Sequence, residues 1–300
     1  MDPRGSLGKL SLVDGADGVD GAGGPLRSRE PDGVTFSRAV FGPAVRSAVL
    51  RVMDSGWVTS GPEVLRFERE FARYVDAEFA VAVSSCTAAL EISLRGLRLA
   101  PQASVLLPTT TFCGALNAVL HAGLAPVLVD VDPVTGNATS DTVHRALAAG
   151  VRPAAMVALH LGGYPAPVAE LAEAADLPLS RVVEDAAHAV GTSVGDRPVG
   201  GAAAAACFSF YATKNLAIGE GGMVTTNDAH LAETARRLRQ HGMSRDAWRR
   251  YLPGGSWRYD VEEPGLKANL TDVQAVIGRV LLRELPSAQR RRQRVAGRYR

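Results

Sequence analysis

A single lysine occupies the turn that follows an apolar strand in the segment Cys207–Leu216. Most lysines are solvated surface charges. The apolar residues before Lys214, together with Leu216 and Ile218 after it, predict that this one is partly buried. Burial lowers the pKa of a lysine from about 10.4 toward roughly 7–8 and so supplies the neutral amine that forms a Schiff base with a carbonyl group. Lys214 is therefore a candidate nucleophile and proton carrier.

Two carboxylates and an imidazole follow a second apolar strand, at Glu184, Asp185 and His188. An aspartate at the end of a strand often does no more than cap the next helix. A buried aspartate can also hydrogen-bond a protonated pyridine nitrogen, which keeps the ring cationic and lets it accept electrons. A lone histidine is more often a satisfied core side chain than a participant in chemistry, so both interpretations stay open for His188.

Two further segments have the composition of anion sites. Ser84–Leu90 leads from a strand into a helix through small and hydroxyl residues, and the free N–H groups at a helix start attract anions. Thr87 could add a hydroxyl, although a plain Ser/Thr cap explains the same residues. Gly219–Asp228 has three glycines in its first four positions, which indicates a tight turn or a close approach. It lacks the Lys-Ser/Thr ending of a P-loop, which disfavours a nucleoside triphosphatase.

All four segments lie where a predicted strand gives way to a loop or a helix. Apolar periodicity predicts helices over 43–55, 63–75, 87–97, 112–121, 140–149 and 168–175. Short apolar runs predict strands over 79–83, 104–107, 126–130, 155–159, 181–184 and 223–226. This alternation is typical of an α/β fold with a mostly parallel sheet covered by helices on both faces. In such folds ligands bind beyond the carboxyl ends of the strands.

Composition excludes several classes of partner. The 33 basic and 31 acidic side chains give a net charge of +2, which provides no electrostatic reason to expect nucleic acid or an anionic membrane. No apolar run is long enough to span a bilayer. Three cysteines without metal-ligand spacing predict a reducing compartment and no metal site, and the N-terminus lacks the order of a signal peptide, so we expect a cytoplasmic protein. The Gly- and Asp-rich residues 1–33 predict a disordered tail.

In their order and spacing these segments resemble the DegT/StrS-type nucleotide-sugar aminotransferases, a branch of the fold type I enzymes that depend on pyridoxal 5′-phosphate (PLP). The similarity extends from Phe36 to the C-terminal end and rests on these segments: Cys86–Leu90, Pro108–Phe112, His160–Gly163, Glu184–Ala187, Phe208–Asn215, Gly219–Gly222 and Thr271–Ala275.

The resemblance implies a domain organisation like that of aspartate aminotransferase. It implies an N-terminal arm and helix over 34–60 and a large PLP-binding domain over 61–245. Residues 246–300 would form a linker, an inter-subunit segment and the start of a small C-terminal domain. We expect that domain to be truncated, because relatives normally continue for several dozen residues beyond Arg300.

The resemblance also implies roles for individual residues. Lys214 would hold PLP as a Schiff base and move protons, and Asp185 would bind the pyridine nitrogen. The remaining cofactor-binding residues would be Ser209, Thr87 and the backbone of Cys86 at the phosphate, Phe112 stacked on the ring, His188 at the 3-hydroxyl, and Lys267. His188 stands where many relatives have Gln. Lys267 lies in a segment that reaches the neighbouring subunit's active site, and in that segment Ala268 replaces the usual Tyr.

The implied function is transfer of an amino group, from L-glutamate, to a keto sugar of a nucleoside-diphosphate sugar in aminosugar biosynthesis. The implied assembly is a homodimer with shared active sites. Two alternatives stay open: a PLP-binding regulatory or inactive truncated homologue, and a PLP-dependent sugar dehydratase. The dehydratase is disfavoured because that branch replaces the lysine with histidine, whereas Lys214 is present here.

Overall fold

The computed structural model describes residues 37–244 and 260–299. The predicted tail over 1–33 and the first part of the predicted linker, 246–259, lie outside the described residues. Within the described ranges the α-helices are α1 Pro43–Asp54, α2 Pro62–Tyr74, α3 Cys86–Gly96, α4 Cys113–His121, α5 Ser140–Ala148, α6 Val168–Ala174, α7 Ala229–Leu238 and α8 Asp272–Ala296.

The strands alternate with these helices along most of the chain. They are β1 Phe79–Val83, β2 Ser104–Pro108, β3 Ala125–Val129, β4 Ala155–Leu159, β5 Val182–Asp185, β6 Ser193–Val194, β7 Arg197–Pro198, β8 Ala205–Ser209 and β9 Gly222–Thr226. Strands β6 and β7 form a small separate ribbon. The other strands form a seven-stranded sheet in the order β1-β9-β8-β5-β4-β2-β3, in which only β9 runs antiparallel to its neighbours. The predicted mostly parallel α/β sheet is confirmed.

Successive side chains of each strand point to opposite faces of the sheet, and the structure covers both faces with helices. Val183 of β5 packs with α3, α4 and α7 on one face. Val182 packs with α5 and α6 on the other face, where α2 and α8 cover the strands near β1. Two aromatic contacts anchor α2 to the sheet: the ring centroids of Phe71 and Phe208 are 5.0 Å apart, and those of Phe67 and Phe210 are 5.3 Å apart.

Helix α8 is held by its first turn. Thr271 and Gln274 form a reciprocal capping box, which satisfies otherwise free N–H groups at the helix start. Asp272 accepts the backbone N–H groups of Glu63 (3.1 Å) and Val64 (2.9 Å) at the start of α2. These contacts place α8 against α2 and bring the preceding residues, which include Lys267 and Asn269, beside the end of β1, where Val83 pairs with Asn269.

Three element boundaries differ from the sequence-based prediction in ways that bear on the site. Helix α3 begins at Cys86, one residue earlier than expected, because Ser85 caps it through its side chain. Helix α4 begins at Cys113 instead of 112, since Phe112 adopts an extended N-cap conformation (φ −72°, ψ 145°). Strand β5 extends to Asp185, which pairs in register with Leu159 and Cys207. Asp185 is thus held by strands on both sides.

Candidate active site

The candidate residues converge where the carboxyl ends of parallel strands meet. Asp185 ends β5 and Ser209 ends the adjacent strand β8. Strand β1 leads directly into α3, so that Cys86 at the helix start lies at the same edge of the sheet. Lys214 follows β8 in the connection to β9. In open α/β sheets this edge is where ligands bind.

Asp185 is a buried carboxylate with one oxygen already engaged. Its exposed fraction is 4%, and Oδ1 accepts the N–H of Ala187 at 3.1 Å. The Sγ atom of Cys86 lies 3.8 Å from the same oxygen and 3.2 Å from the carbonyl oxygen of Cys207. Burial raises the pKa of Asp185, and the Ala187 N–H and the positive charge of Lys214 act against that rise. No hydrogen bond to Oδ2 is found in the part of the chain that the structure describes.

Lys214 lies in a hairpin whose ends are tied together. The N–H of Phe210 donates to the carbonyl oxygen of Gly221 (2.8 Å), and the N–H of Ile218 donates to that of Phe210 (2.9 Å). Within this hairpin, the N–H of Lys214 donates to the carbonyl oxygen of Tyr211 at 2.9 Å. The lysine is half-buried, and burial lowers its pKa while the negative charge of Asp185 opposes that shift. Lys214 and Asp185 each affect the other's pKa, so the structure brings them together.

The start of α3 presents backbone N–H groups on the same edge. The hydroxyl of Ser85 accepts the N–H of Ala88 at 3.1 Å, whereas the first two N–H groups of the helix, those of Cys86 and Thr87, have no acceptor inside it. Gly222 of β9 lies against this turn so closely that a Cβ there would be 2.7 Å from the backbone nitrogen of Cys86. Only glycine permits that approach.

Ser209 and Phe112 complete the surroundings of the helix start. Ser209, buried at 6% exposure, pairs in register with Gly222 and accepts the N–H of Tyr211 at 3.3 Å. A Cβ on Gly114 would be 2.6 Å from the hydroxyl of Thr87 and 3.0 Å from the ring of Phe112, so these two side chains flank the glycine. Phe112 is 73% exposed, so its aromatic ring is largely uncovered beside the start of α3.

His188 faces the site from the segment after β5. Its Nδ1 accepts the N–H of Gly162 at 3.2 Å, and its pKa is lowered by burial and by the positive charge of Lys214. No role was predicted for His160, which is buried and has its Nε2 2.9 Å from Glu184 Oε2. His160 belongs to the family segment His160–Gly163, which could have marked it as important, but its contact with Glu184 is seen only in the structure.

Lys267 is placed differently from the other predicted site residues. Its side chain is exposed, and Nζ donates to Asn269 Oδ1 at 2.6 Å. Within the described residues no interaction joins Lys267 to Lys214, Asp185 or His188. Its predicted role involves a second subunit and stays a prediction.

Taken as chemistry, the assembled groups fit a planar pyridine that carries a phosphate and a carbonyl. Asp185 offers a carboxylate oxygen without a partner, and the start of α3 offers backbone N–H groups to an anion. Phe112 offers a bare aromatic face, and Lys214 offers an amine whose pKa is lowered. Such a set defines an enzyme of the PLP-dependent, fold type I class.

Over 37–244 and 260–299, no three His, Cys, Asp or Glu side chains are grouped so that they could hold a metal ion. No helix in those ranges combines the length and the apolar character needed to cross a membrane.

Comparison with known proteins gives the family. Residues 42–300 match the model of the DegT/DnrJ/EryC1/StrS aminotransferase family, and the chain belongs to that family. It is 44% identical to the spore coat polysaccharide biosynthesis protein SpsC of Bacillus subtilis over 264 residues, which are 88% of this chain and 67% of SpsC.

Solved structures agree with this assignment. Spr1654 from Streptococcus pneumoniae, in its PMP form, superposes with a TM-score of 0.80 at 29% identity, covering 89% of this chain and 71% of that one. The aminotransferase TlmJ from Streptoalloteichus hindustanus gives a TM-score of 0.79 at 39% identity, covering 89% and 70%. The predicted family, fold type I architecture, PLP dependence and amino transfer in sugar biosynthesis are therefore confirmed.

Proposed function

We propose that this chain transfers an amino group from L-glutamate to a keto sugar carried on a nucleoside diphosphate, with Lys214 as the residue that holds PLP. The observation that carries the assignment is that a buried carboxylate ends one strand and a half-buried lysine follows the neighbouring strand at one sheet edge, close enough for each to affect the other's pKa. A relative supports a sugar-related substrate: PseC of Helicobacter pylori, with a TM-score of 0.74 at 27% identity, is an aminotransferase involved in pseudoaminic acid biosynthesis.

Asp185 has the environment that binding a cationic ring nitrogen requires. When bound, PLP supplies an electron-accepting pyridine ring and a carbonyl carbon that bonds to amines. Asp185 Oδ1 is held by the N–H of Ala187, which leaves Oδ2 for a proton-bearing nitrogen. An opposite charge at that position favours the ionised carboxylate and overcomes the effect of burial on its pKa. Asp185 thus keeps the ring nitrogen protonated.

Lys214 moves protons at the reacting carbon of the amino donor. Burial lowers the pKa of its amine, so a larger fraction of Nζ is neutral near neutral pH and can accept a proton. The same atom, once protonated, can return the proton, because it stands on a fixed turn beside Asp185. In the described residues no interaction joins Lys267 to Lys214, and the amine of Lys267 donates to Asn269.

The other predicted residues orient the cofactor. The N–H groups of Cys86 and Thr87 and the hydroxyl of Ser209 would hold its phosphate, because a helix start favours an anion. Phe112 would cover one face of the ring, and His188 would reach its 3-hydroxyl. We further propose a cytoplasmic homodimer with shared sites, to which the partner subunit contributes its copy of the segment around Lys267.

Attachment of the cofactor is testable because the chain has only three lysines, Lys9, Lys214 and Lys267. The purified protein loaded with PLP should show a visible absorbance band. After borohydride reduction and digestion, mass spectrometry should find the cofactor on the peptide that contains Lys214. Lys214→Ala should lose the band and the adduct, and Lys267→Ala, the matched control, should keep both. An adduct on another lysine would overturn the assignment.

The amino donor and the sugar need a second experiment. Adding L-glutamate to the loaded protein should abolish the band and release 2-oxoglutarate, and later addition of nucleoside-diphosphate keto sugars should restore it with formation of an amino sugar. A band that no amino acid changes would favour a regulatory PLP-binding protein. Deoxygenation of the sugar without incorporation of nitrogen would favour a dehydratase.

A further inference from the structure

A buried histidine–glutamate pair lies directly behind the site. His160 follows β4 and is 1% exposed, and Glu184, on β5, is 2% exposed. Adjacent residues of a strand face opposite sides of the sheet, so Glu184 points away from the face on which its neighbour Asp185 meets Cys86. The pair therefore takes no direct part in the chemistry proposed above. A buried ionisable pair needs a reason, because desolvation of such groups is costly.

The hydrogen bonds of His160 determine which nitrogen carries its proton. The N–H of Ala166 donates to Nδ1 at 3.0 Å, so Nδ1 must be unprotonated. A neutral imidazole then has its proton on Nε2, which donates to Glu184 Oε2 at 2.9 Å. The ring is thereby fixed at both nitrogens.

The same ring closes the turn formed by residues 160–166. One end of the turn is tied to the site, because the N–H of His160 donates to the carbonyl oxygen of Asp185 at 3.1 Å. The other end is tied through the bond from Ala166 to the imidazole. Between these ends the hydroxyl of Thr192 donates to the carbonyl oxygen of Gly163 at 3.0 Å. Asn137 also accepts the N–H of Leu161 and donates to the carbonyl oxygen of Tyr164, both at 3.4 Å. The turn is thus closed by the imidazole and attached to the segments around it.

Two glycines at the centre of the turn bring it against His188. Gly162 and Gly163 have φ values of 61° and 86°, a left-handed region that favours glycine. A Cβ on Gly163 would lie 2.9 Å from the carbonyl oxygen of His188. This approach directs the N–H of Gly162 at Nδ1 of His188, 3.2 Å away.

We propose that His160 and Glu184 are positioning residues that fix this turn, so that Gly162 holds His188 as the tautomer with its proton on Nε2. The nitrogen left for the cofactor is then always a hydrogen-bond donor. A proton on Nδ1 would place two N–H groups against each other. The charge of Lys214 also disfavours a cationic His188. This inference rests on the proposed function only in its last step, where His188 meets the cofactor.

The tautomer can be measured without the cofactor. Long-range ¹⁵N–¹H correlation spectra of the ¹⁵N-histidine-labelled apoprotein distinguish the two neutral tautomers, and His188→Gln assigns the signal. We expect the Nε2–H form for both His160 and His188. In His160→Asn, the amide oxygen can still accept the N–H of Ala166 in place of Nδ1, but the contact with Glu184 is lost. A second tautomer of His188, with its proton on Nδ1, should therefore appear. A proton on Nδ1 of His188 in the wild-type protein would overturn the proposal.

Cofactor affinity gives an independent measurement. His160→Asn should weaken PLP binding about five- to tenfold, the loss expected from one misplaced hydrogen bond. Glu184→Gln, whose amide oxygen still accepts from His160, should change it less than about twofold. His144→Asn, on the exposed side of α5, is the matched surface control. Affinity of His160→Asn equal to that of the wild type would refute the positioning role.

A second variant and a measurement made without PLP cover the cases in which His160→Asn does not fold or the cofactor does not bind. If His160→Asn does not fold, Thr192→Val releases a single attachment of the turn, and it should produce the same second form of His188 at lower population. Unchanged spectra in that variant would contradict the proposal. If the wild-type protein takes up no PLP, the proposed function fails, whereas the tautomer measurement still decides the arrangement of the turn.

Discussion

The two regions that contribute a lysine to the predicted site differ in how far they bury and surround its amine. Around Lys214, a buried carboxylate, a helix start and a tied hairpin are held to one another by backbone bonds and by strands on both sides. Around Lys267, the chain approaches the end of β1, but the amine itself is exposed and bonds only to a neighbouring amide, that of Asn269. The first region sets the reactivity of an amine by burial, and the second leaves its amine in solvent.

A lysine that belongs to a family motif does not necessarily have the surroundings that make its amine reactive. The surroundings of Lys214 within one chain already shift its pKa and provide the partners that a cofactor needs. Lys267 has no comparable surroundings in the described part of this chain, and a partner subunit would have to supply them. Substitutions at the two lysines should therefore have unequal effects.

The largest expected effect separates the two lysines directly. Lys214→Ala should lower kcat by about 10⁴-fold, because the covalent anchor and the proton carrier are lost together. Lys267→Ala should raise KM or lower kcat by less than about tenfold, the size of a modest binding contribution. Steady-state kinetics of both variants, assayed side by side, checks the difference. Equal losses would erase the distinction between the two regions.

Asp185→Asn should reduce kcat by about 10²–10³-fold, as expected for loss of one preorganised charge interaction. The thermal stability of the apoprotein should instead increase. Because burial raises the pKa of Asp185, the ionised carboxylate disfavours the folded apoprotein, and this cost grows as the pH rises through the pKa of the unfolded chain toward that of the folded state. The variant apoprotein should therefore have a higher Tm than the wild type at neutral pH, and the difference should shrink in acid.

Phe112→Ala should weaken PLP binding about tenfold, because an aromatic face is lost from the site. Since the ring is 73% exposed, the free energy of unfolding of the apoprotein should change by less than about 0.5 kcal/mol. Phe112→Tyr keeps the ring and is the control. A large loss of stability in the alanine variant would mean that this ring serves the fold instead of the site.

The smallest effect concerns the amine of Lys214 in the apoprotein. Its lowered pKa makes the neutral form available at lower pH, so labelling by an acylating reagent should begin at lower pH than for an unstructured reference peptide. The ratio of the two labelling rates should fall by several-fold as the pH rises to about 10, where the reference lysine also deprotonates. Mass spectrometry of the Lys214 peptide measures this ratio. A ratio independent of pH would contradict the shift.

The strands of the seven-stranded sheet were predictable because each is a short apolar run, and the predicted bounds 79–83 and 155–159 agree with β1 and β4, whereas the two-residue strands β6 and β7 were not predicted. The direction of β9 was not predictable from its own residues. Its antiparallel place between β1 and β8 depends on long-range pairing, and on Gly222 approaching the start of α3. Phe112 was assigned to a helix because nothing local distinguishes an N-cap from a first turn there.

What could be predicted of the site is which residues follow the ends of the strands. The positions of Asp185, Ser209 and Lys214 after apolar runs placed them at one edge of a parallel sheet. The partners of those groups were not predictable, because they come from distant segments. Glu184 could be recognised as a carboxylate, but its contact with His160 exists only because β4 and β5 are neighbours in register. The conformation of His188 likewise depends on Gly162, across the same pair of strands.

The hairpin that carries Lys214 has a consequence for the speed of catalysis. Both of its ends continue into neighbouring strands, and backbone bonds from Phe210 to Gly221 and from Ile218 to Phe210 close its base. Displacing the backbone of Lys214 would break its own bond to the carbonyl oxygen of Tyr211, so we expect the amine to move by rotation about its side-chain torsions. Such rotations take picoseconds to nanoseconds, far shorter than a typical turnover. If Lys214 carries the proton as proposed, we expect that its movement does not limit the rate.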